Sequence, residues 1–121
     1  MTHPSPLEIA ETYLATWNEA DDTSRQAAIA RNWSASARYA DPIMSGDGRD
    51  GIAAMISAAR AQFPGHGFAL RGAPDGHGSW VRFSWDLAPE NGAPVAGGTD
   101  MVRLDETGRI ESVVGFLDFT P

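Results

Sequence analysis

The spacing of apolar residues changes about halfway along the chain. Up to Phe63 they recur every three to four positions, which is the period of an amphipathic helix. After Phe63 they alternate with polar residues, which is the period of a strand with one buried face. Because the helical segments are separated from most of the strands, the pattern predicts an α+β fold and not alternating βαβ units.

Helix-start signals precede each of the helical segments. Ser5 is followed by Pro6 and, three residues after the serine, by Glu8, which is the pattern of a capping box. Asp21 and Asp50 are candidate N-caps for the next two helices. The predicted helices are residues 5–19, 21–33 and 50–63.

One strand is predicted before the third helix and four after it. The first must end by Pro42, because the residue before a proline is restricted to extended conformations. The dipeptide Asn91-Gly92 lies between two later strands and is a strong hairpin signal. The order α-α-β-α followed by a four-stranded antiparallel meander predicts one domain, residues 1–121. The predicted strands are residues 36–41, 67–72, 79–87, 94–105 and 109–119.

Composition narrows the class of protein. The chain has no cysteine, which excludes disulfides, thiolate catalysis and sulfur-ligated metals. Its net charge is −7 and its nine basic residues form no cluster, so we expect neither nucleic acid nor an anionic membrane as a partner. No apolar run approaches the roughly 18 residues of a membrane span, and residues 1–11 do not resemble a signal peptide. A cytoplasmic location is therefore expected.

The segment Gly46-Asp47-Gly48-Arg49-Asp50-Gly51 matches the dinucleotide-binding motif G-x-G-x-x-G. That motif requires a buried parallel strand just before it and crossover helices after it, and neither is predicted here. Its two aspartates would also repel a pyrophosphate at a helix N-terminus. We therefore interpret the glycines as a tight loop and helix entry, and we expect no cofactor. The three histidines are scattered, so no metal site is expected.

Two acids are candidate functional residues. Asp41 ends the first strand, where it could lie at a pocket mouth or merely cap its own loop. Asp100 shares one face of its strand with Val102 and Leu104. If helices cover that face, Asp100 is a buried acid; if the register is opposite, it is solvated.

Three stretches taken together carry a family resemblance. They are YLATWNEADD, ARYADPIMSGDGRDGIAAM and GGTDMVRLDETGRIESVVGFLD, and the similarity extends from about Glu8 to Asp118. In this combination the chain resembles SnoaL-like proteins of the nuclear transport factor 2-like superfamily. The resemblance implies a cone, in which three helices pack into a strongly curved sheet and enclose an apolar pocket. It also implies a homodimer formed through the convex face of the sheet.

Within this superfamily the chain is also similar to ketosteroid isomerase. The similarity lies in a tyrosine of the first helix, an Asp-Pro after the short strand and a late strand aspartate, here Tyr13, Asp41 and Asp100. It implies that Asp41 is a proton-transferring base and that Tyr13 and a neutral Asp100 donate hydrogen bonds to a substrate oxygen. Asp100 would stay neutral by desolvation among Val102 and Phe116, whereas Asp41 beside its loop would stay ionised.

The predicted ligand is a small, largely apolar, carbonyl-bearing molecule, with cofactor-free proton transfer of the isomerase or cyclase type if the protein is an enzyme. The alternatives are a non-catalytic ligand-binding module and an accessory dimerisation module. An epoxide-hydrolase-like Asp-Arg-Asp set fits less well, because neither Arg82 with Asp86 nor Arg103 with Asp105 has a clear third acid. The residues predicted to contact the ligand are Trp17, Met44, Met55, His66, Phe68, Trp85, Val102 and Phe116.

Overall fold

A computed structural model describes residues 4–121, in which three helices and six strands form. The helices are α1 (Pro6–Asn18), α2 (Asp22–Asn32) and α3 (Gly48–Gln62). The strands are β1 (Trp33–Ala40), β2 (Ser45–Asp47), β3 (His66–His77), β4 (Trp80–Pro89), β5 (Ala96–Leu104) and β6 (Ile110–Phe119). The predicted α+β class is confirmed.

The first two helix starts follow the sequence signals. At α1 the Ser5 hydroxyl accepts a hydrogen bond from the Glu8 amide, and the Glu8 carboxylate accepts one from the Ser5 amide. At α2 the Asp21 carboxylate accepts the Ser24 amide at 2.8 Å. Each bond satisfies an N–H group that a helix terminus leaves unpaired, so both ends are set locally by the sequence.

The start of α3 differs from the prediction. The helix begins at Gly48 and its N-cap is Asp47, so the predicted cap Asp50 lies inside the first turn. Gly48 has φ +72°, a conformation that suits glycine, and this turns the chain from β2 directly into the helix. The glycines thus serve a tight helix entry, as interpreted, although the first of them, Gly46, lies within the strand β2 and not in a loop.

Other predicted bounds also differ from the structure: β3 extends to His77 and not to residue 72, the boundary between α2 and β1 is shifted, and β2 was not predicted. Trp33 begins β1 and does not end α2; its fully buried ring stacks with that of Tyr13 at 5.8 Å. Its spacing from Ile29 fits a helix equally well, so periodicity could not separate the two. Residues 45–47 form β2 by pairing antiparallel with the end of β1. Gly46 within it lies against α3, where a Cβ would be 2.9 Å from the Gly51 carbonyl oxygen.

The six strands form one sheet in the order β2-β1-β6-β5-β4-β3. Neighbouring strands are antiparallel except β1 and β6, which are parallel, and β3 to β6 form the predicted meander. Register shifts in three of the pairings accompany the curvature of the sheet. Helix α1 packs on β3 and β4 and helix α3 packs on β1, so the helices cover the concave face.

Strand alternation divides the sheet into a covered inner face and an outer face. Asp100 is opposite Phe83 on β4 and Gly115 on β6, and all three face the helices. Phe116, the next residue of β6, faces outward and is 54% exposed. The other exposed apolar residues of β5 and β6 are Met101, Val114 and Phe119. The homodimer expected through this face stays a prediction. No helix within residues 4–121 is long and apolar enough to cross a membrane.

Candidate functional site

A pocket lies between α1, the end of α3, the loop joining β1 to β2, and the inner face of the sheet. Its lining is mostly aromatic and aliphatic. Its cavity volume is about 90 Å³, several times the roughly 10–15 Å³ that one water molecule requires. Seven of the predicted site residues line it: Tyr13, Trp17, Asp41, Met44, Phe68, Trp85 and Asp100.

Four residues predicted to contact a ligand lie elsewhere. Phe116 faces outward, because the inward position of β6 is taken by Gly115. Val102 and Met55 are buried in the core below the pocket, on the inner faces of the sheet and of α3. His66 begins β3, where its Nδ1 lies 3.0 Å from the Pro64 carbonyl oxygen, and it does not line the pocket.

Tyr13 and Asp100 form a buried pair in the pocket. The Tyr13 hydroxyl donates to Asp100 Oδ2 at 2.8 Å, and only 1% of Tyr13 and 2% of Asp100 are exposed. The other oxygen of this carboxyl group, Oδ1, is buried and has no hydrogen-bond partner within residues 4–121. A buried oxygen without a partner is costly, so a ligand or a water that could donate to it would be stabilised there.

The environment of Asp100 changes its acidity. Burial raises the pKa of this carboxyl group to about 6, and the negative charges of Asp41 and Asp118 add to the rise. The Tyr13 hydroxyl, which donates to Asp100, and the nearby Trp85 side chain, which makes no hydrogen bond to it, act in the opposite direction, since both favour the ionised form. Burial, followed by the Asp100 charge, also raises the pKa of Tyr13 well above its ordinary value. Asp100 can therefore gain or lose a proton near neutral pH, whereas Tyr13 remains protonated.

Asp41 forms a second pair with a tyrosine. Its Oδ2 accepts the Tyr39 hydroxyl at 2.6 Å, and its Oδ1 accepts the amides of Ile43 and Met44 at 2.8 and 2.9 Å. Burial is the largest cause of the raised pKa of Tyr39, and the charges of Asp100 and Asp41 contribute. Three donors on one carboxylate leave a single lone-pair site, on Oδ2. Asp41 can thus accept one further hydrogen bond or proton.

Sequence reasoning missed Tyr39, although a signal for it was present. Ala37, Tyr39 and Asp41 alternate along β1 and its end, so they share the face that leads into the pocket. Gly115 was also missed, because only the register of β6 beside β5 places it across from Asp100. The two Tyr–Asp pairs approach each other around this glycine, and no basic side chain lines the pocket in the part of the chain that the structure describes.

The Arg-containing sets considered from the sequence lie outside this pocket. Arg82 pairs with Asp75, and Arg103 pairs with Glu111 at 3.2 Å. Neither arginine lines the pocket that holds Asp100 and Asp41. An Asp-Arg-Asp arrangement for activating water is therefore not formed by these residues.

Comparisons with known proteins define the class. The cone of helices on a curved sheet is the fold of the nuclear transport factor 2-like proteins. The family model for the SnoaL-like domain matches residues 10–113, and the chain therefore belongs to the SnoaL-like family. Both the resemblance and the cone fold predicted from the sequence are confirmed. No functionally curated protein shows significant sequence similarity to the chain.

Solved structures support this assignment at different levels. A provisionally assigned isomerase of the SnoaL-like family from Agrobacterium tumefaciens str. C58 is 56% identical, with 93% of this chain and 97% of that one covered and a TM-score of 0.91. A protein of ketosteroid isomerase-like fold from Catenulispora acidiphila is 16% identical (98% and 88% covered, TM-score 0.73). A provisionally assigned polyketide cyclase from Sinorhizobium meliloti is 15% identical (89% and 93% covered, TM-score 0.67). The last two show similarity of fold alone.

Proposed function

We propose that this protein binds a small, largely apolar, carbonyl-bearing molecule in the pocket and transfers a proton on it without a cofactor, as an isomerase or cyclase does. The observation that carries the proposal is the Asp100 carboxyl group: it lines an apolar pocket together with Asp41, and its Oδ1 is buried with no hydrogen-bond partner among residues 4–121. The isomerase assignment of the Agrobacterium relative at 56% identity is consistent with it.

The proposed roles follow from which oxygen atoms are free. Asp41 Oδ2 takes the proton from a carbon next to the carbonyl group, and it returns that proton to another carbon of the same molecule. Protonated Asp100 donates from Oδ1 to the carbonyl oxygen, where negative charge develops as the C–H bond breaks. Tyr13 donates to Asp100 Oδ2 and not into the pocket, so it acts on the substrate through Asp100. This differs from the role that the family resemblance implied for Tyr13.

The experiment uses cyclohex-3-en-1-one, a β,γ-unsaturated ketone, and follows its conversion to the conjugated enone by ultraviolet absorbance. Asp41→Asn removes the base, and we expect kcat to fall by about 100-fold or more. Asp100→Ala removes the hydrogen-bond donor, and we expect a fall of roughly 100- to 1,000-fold. Asp75→Asn is the matched control, because Asp75 is exposed and lies outside the pocket.

Two outcomes would contradict the proposal. One is turnover that survives both Asp41→Asn and Asp100→Ala; the other is the absence of turnover, and of solvent deuterium uptake, for every small ketone that binds. If Asp100 must be protonated, the rate also falls as pH rises through about 6, the pKa of that carboxyl group. This pH dependence disappears in Asp100→Asn.

A second candidate function is non-catalytic binding of a small ligand. It is favoured by the two backbone amides on Asp41 Oδ1, which close the loop after β1 and supply a structural reason for this aspartate. Under this alternative cyclohexanone shifts the NMR signals of the pocket residues, yet its α-hydrogens do not exchange with deuterium in the solvent. The two candidates are thereby separated with a single ligand.

A further inference from the structure

The backbone conformation of Gly115 does not explain why this residue is a glycine. Its φ is not in the left-handed region, which is where glycine is favoured over other residues. It lies within β6, directly opposite Asp100 on β5, and is buried. Glycine in the middle of a strand weakens the strand, and it often marks a place where another group approaches the backbone closely.

That close approach comes from the site itself. A Cβ on Gly115 would lie 2.7 Å from Asp100 Oδ1, 3.2 Å from Asp41 Cβ and 3.5 Å from the Tyr39 hydroxyl oxygen. The first distance is shorter than real Cβ contacts allow, and the second requires a neighbour to move. A side chain at this position would therefore separate the partnerless oxygen of Asp100 from the Asp41–Tyr39 pair.

Tyr39 fixes the Asp41 carboxylate on the side of Gly115 opposite Asp100. It is 3% exposed, and its hydroxyl donates to Asp41 Oδ2, the oxygen that retains a free lone pair. The two amides on Asp41 Oδ1 fix the same carboxylate from the loop. Asp41 is thus held in one orientation towards Gly115, as Asp100 is held by Tyr13.

We propose that Gly115 and Tyr39 are positioning residues that hold the two carboxyl groups close together, so that the charge of Asp41 influences how readily Asp100 releases its proton. The missing side chain of Gly115 lets the groups approach each other, and the Tyr39 hydroxyl holds the Asp41 carboxylate in place. The consequence for catalysis rests on the proposed function, whereas the coupling itself does not.

Five described side chains influence the acidity of Asp100 or are influenced by its charge. Tyr13 reaches it from α1, Trp85 from β4, Asp41 and Tyr39 from β1 and its loop, and Asp118 from the end of β6. Asp118 is paired with Arg71 on the outside of the pocket. Asp41 is therefore the like charge that the coupling depends on, and its removal isolates the effect.

The test is a double-mutant cycle read by carbon-13 NMR titration of the aspartate carboxyl groups, with no ligand. In the native chain, Asp41→Asn should lower the titration midpoint of Asp100, by up to about one pH unit, because a nearby negative charge is removed. In a Gly115→Ala chain the same substitution should produce a smaller shift, because the methyl group moves the two carboxyl groups apart. Gly67→Ala is the matched control, since a Cβ at this strand glycine makes only an ordinary contact of 3.6 Å with Asn18.

An equal Asp41→Asn shift with and without the Gly115 methyl group would overturn the role of Gly115. If Gly115→Ala does not fold, Tyr39→Phe tests the same coupling. Removing this hydroxyl should lower the titration midpoint of Asp100, because the Asp41 carboxylate is then no longer held close to it. A merely structural tyrosine would leave the Asp100 midpoint unchanged, and that result would overturn the role of Tyr39. Since no substrate is involved, failure here is distinguishable from failure of the proposed reaction.

Discussion

Carboxyl groups in two regions of this molecule have opposite environments. On the exposed surface, Asp75 accepts two hydrogen bonds from the Arg82 guanidinium, at 3.1 and 2.8 Å. In the pocket, Asp100 has no cationic neighbour in the described part of the chain, and it accepts a single hydrogen bond, from Tyr13. The arginine lowers the pKa of Asp75, whereas burial raises the pKa of Asp100 to about 6. The same residue type is thus a solvated anion in one region and, in the other, a carboxyl group that can keep its proton up to about pH 6.

The difference between the two environments indicates which carboxyl groups of this fold can exchange protons near neutral pH. A carboxylate paired with arginine in water keeps its charge at every ordinary pH, and it contributes little to stability because solvent screens the pair. A carboxyl group without a cation in an apolar pocket costs stability when ionised, but it can exchange a proton near neutral pH. The ionisation of Asp100 in the pocket therefore lowers the stability of the fold, while the same environment lets this carboxyl group exchange a proton.

The largest expected effect is on the pH dependence of stability. A rise in the Asp100 pKa from 3.8 to about 6, at about 1.4 kcal/mol per unit, corresponds to about 3 kcal/mol. Because the folded-state pKa is raised, this stabilisation is complete below about pH 4 and is lost as pH rises through 6. Chemical unfolding at about pH 4 and pH 8 should therefore show Asp100→Asn gaining about 3 kcal/mol relative to the native chain at the higher pH.

The matched control for that measurement is Asp75→Asn. The folded-state pKa of Asp75 is lowered, so its contribution has the opposite sign and is lost as pH falls. This residue is fully exposed, and we expect the difference between Asp75→Asn and the native chain to change little over the same range. A native chain whose stability relative to Asp100→Asn does not depend on pH would show that Asp100 is not held as a weak acid.

The next effect concerns the hydrogen bond inside the pocket. Tyr13→Phe keeps the ring that packs on Trp33 and Phe83 but removes the donor to Asp100 Oδ2. Since this bond favours the ionised form, its loss should raise the Asp100 midpoint by about one pH unit. It should also cost roughly 2 kcal/mol of stability at about pH 8, because an ionised carboxylate is left with less hydrogen bonding. An unchanged midpoint in the NMR titration would contradict the pairing.

Much of this contrast was open to prediction because local patterns determine it. The capping box at Ser5, the alternation of β4 and the family resemblance led to the cone, and the buried position of Asp100 follows once helices cover its face. Tyr39 was within reach as well, since it alternates with Asp41 on the strand. The boundary at Trp33 was not, because its spacing fits a helix and a strand equally well.

The remaining features depend on contacts between distant parts of the chain. The outward position of Phe116 and the role of Gly115 both follow from the register of β6 beside β5, which no local pattern reveals. The Tyr13 hydroxyl was expected to face a ligand, but it bonds Asp100 because the two side chains meet across 87 positions of sequence. Register and side-chain partners are tertiary properties, and the sequence alone left them open.

The smallest expected effect lies on the outer side of the sheet, where Arg71 contacts both Asp86 and Asp118. These side chains are about one-quarter to one-third exposed, so Arg71→Met should cost less than about 1 kcal/mol, and the cost should shrink in high salt. Chemical unfolding at low and high salt measures both quantities.

The same Arg71→Met variant makes the contrast between the two regions sharper. It frees the charge of Asp118, which is the last and smallest of the charges that raise the Asp100 pKa. We therefore expect the Asp100 midpoint to rise only slightly, by less than it falls in Asp41→Asn. A shift as large as that of Asp41→Asn would mean that the outer ion pairs control the pocket, and the two regions could then no longer be treated as separate.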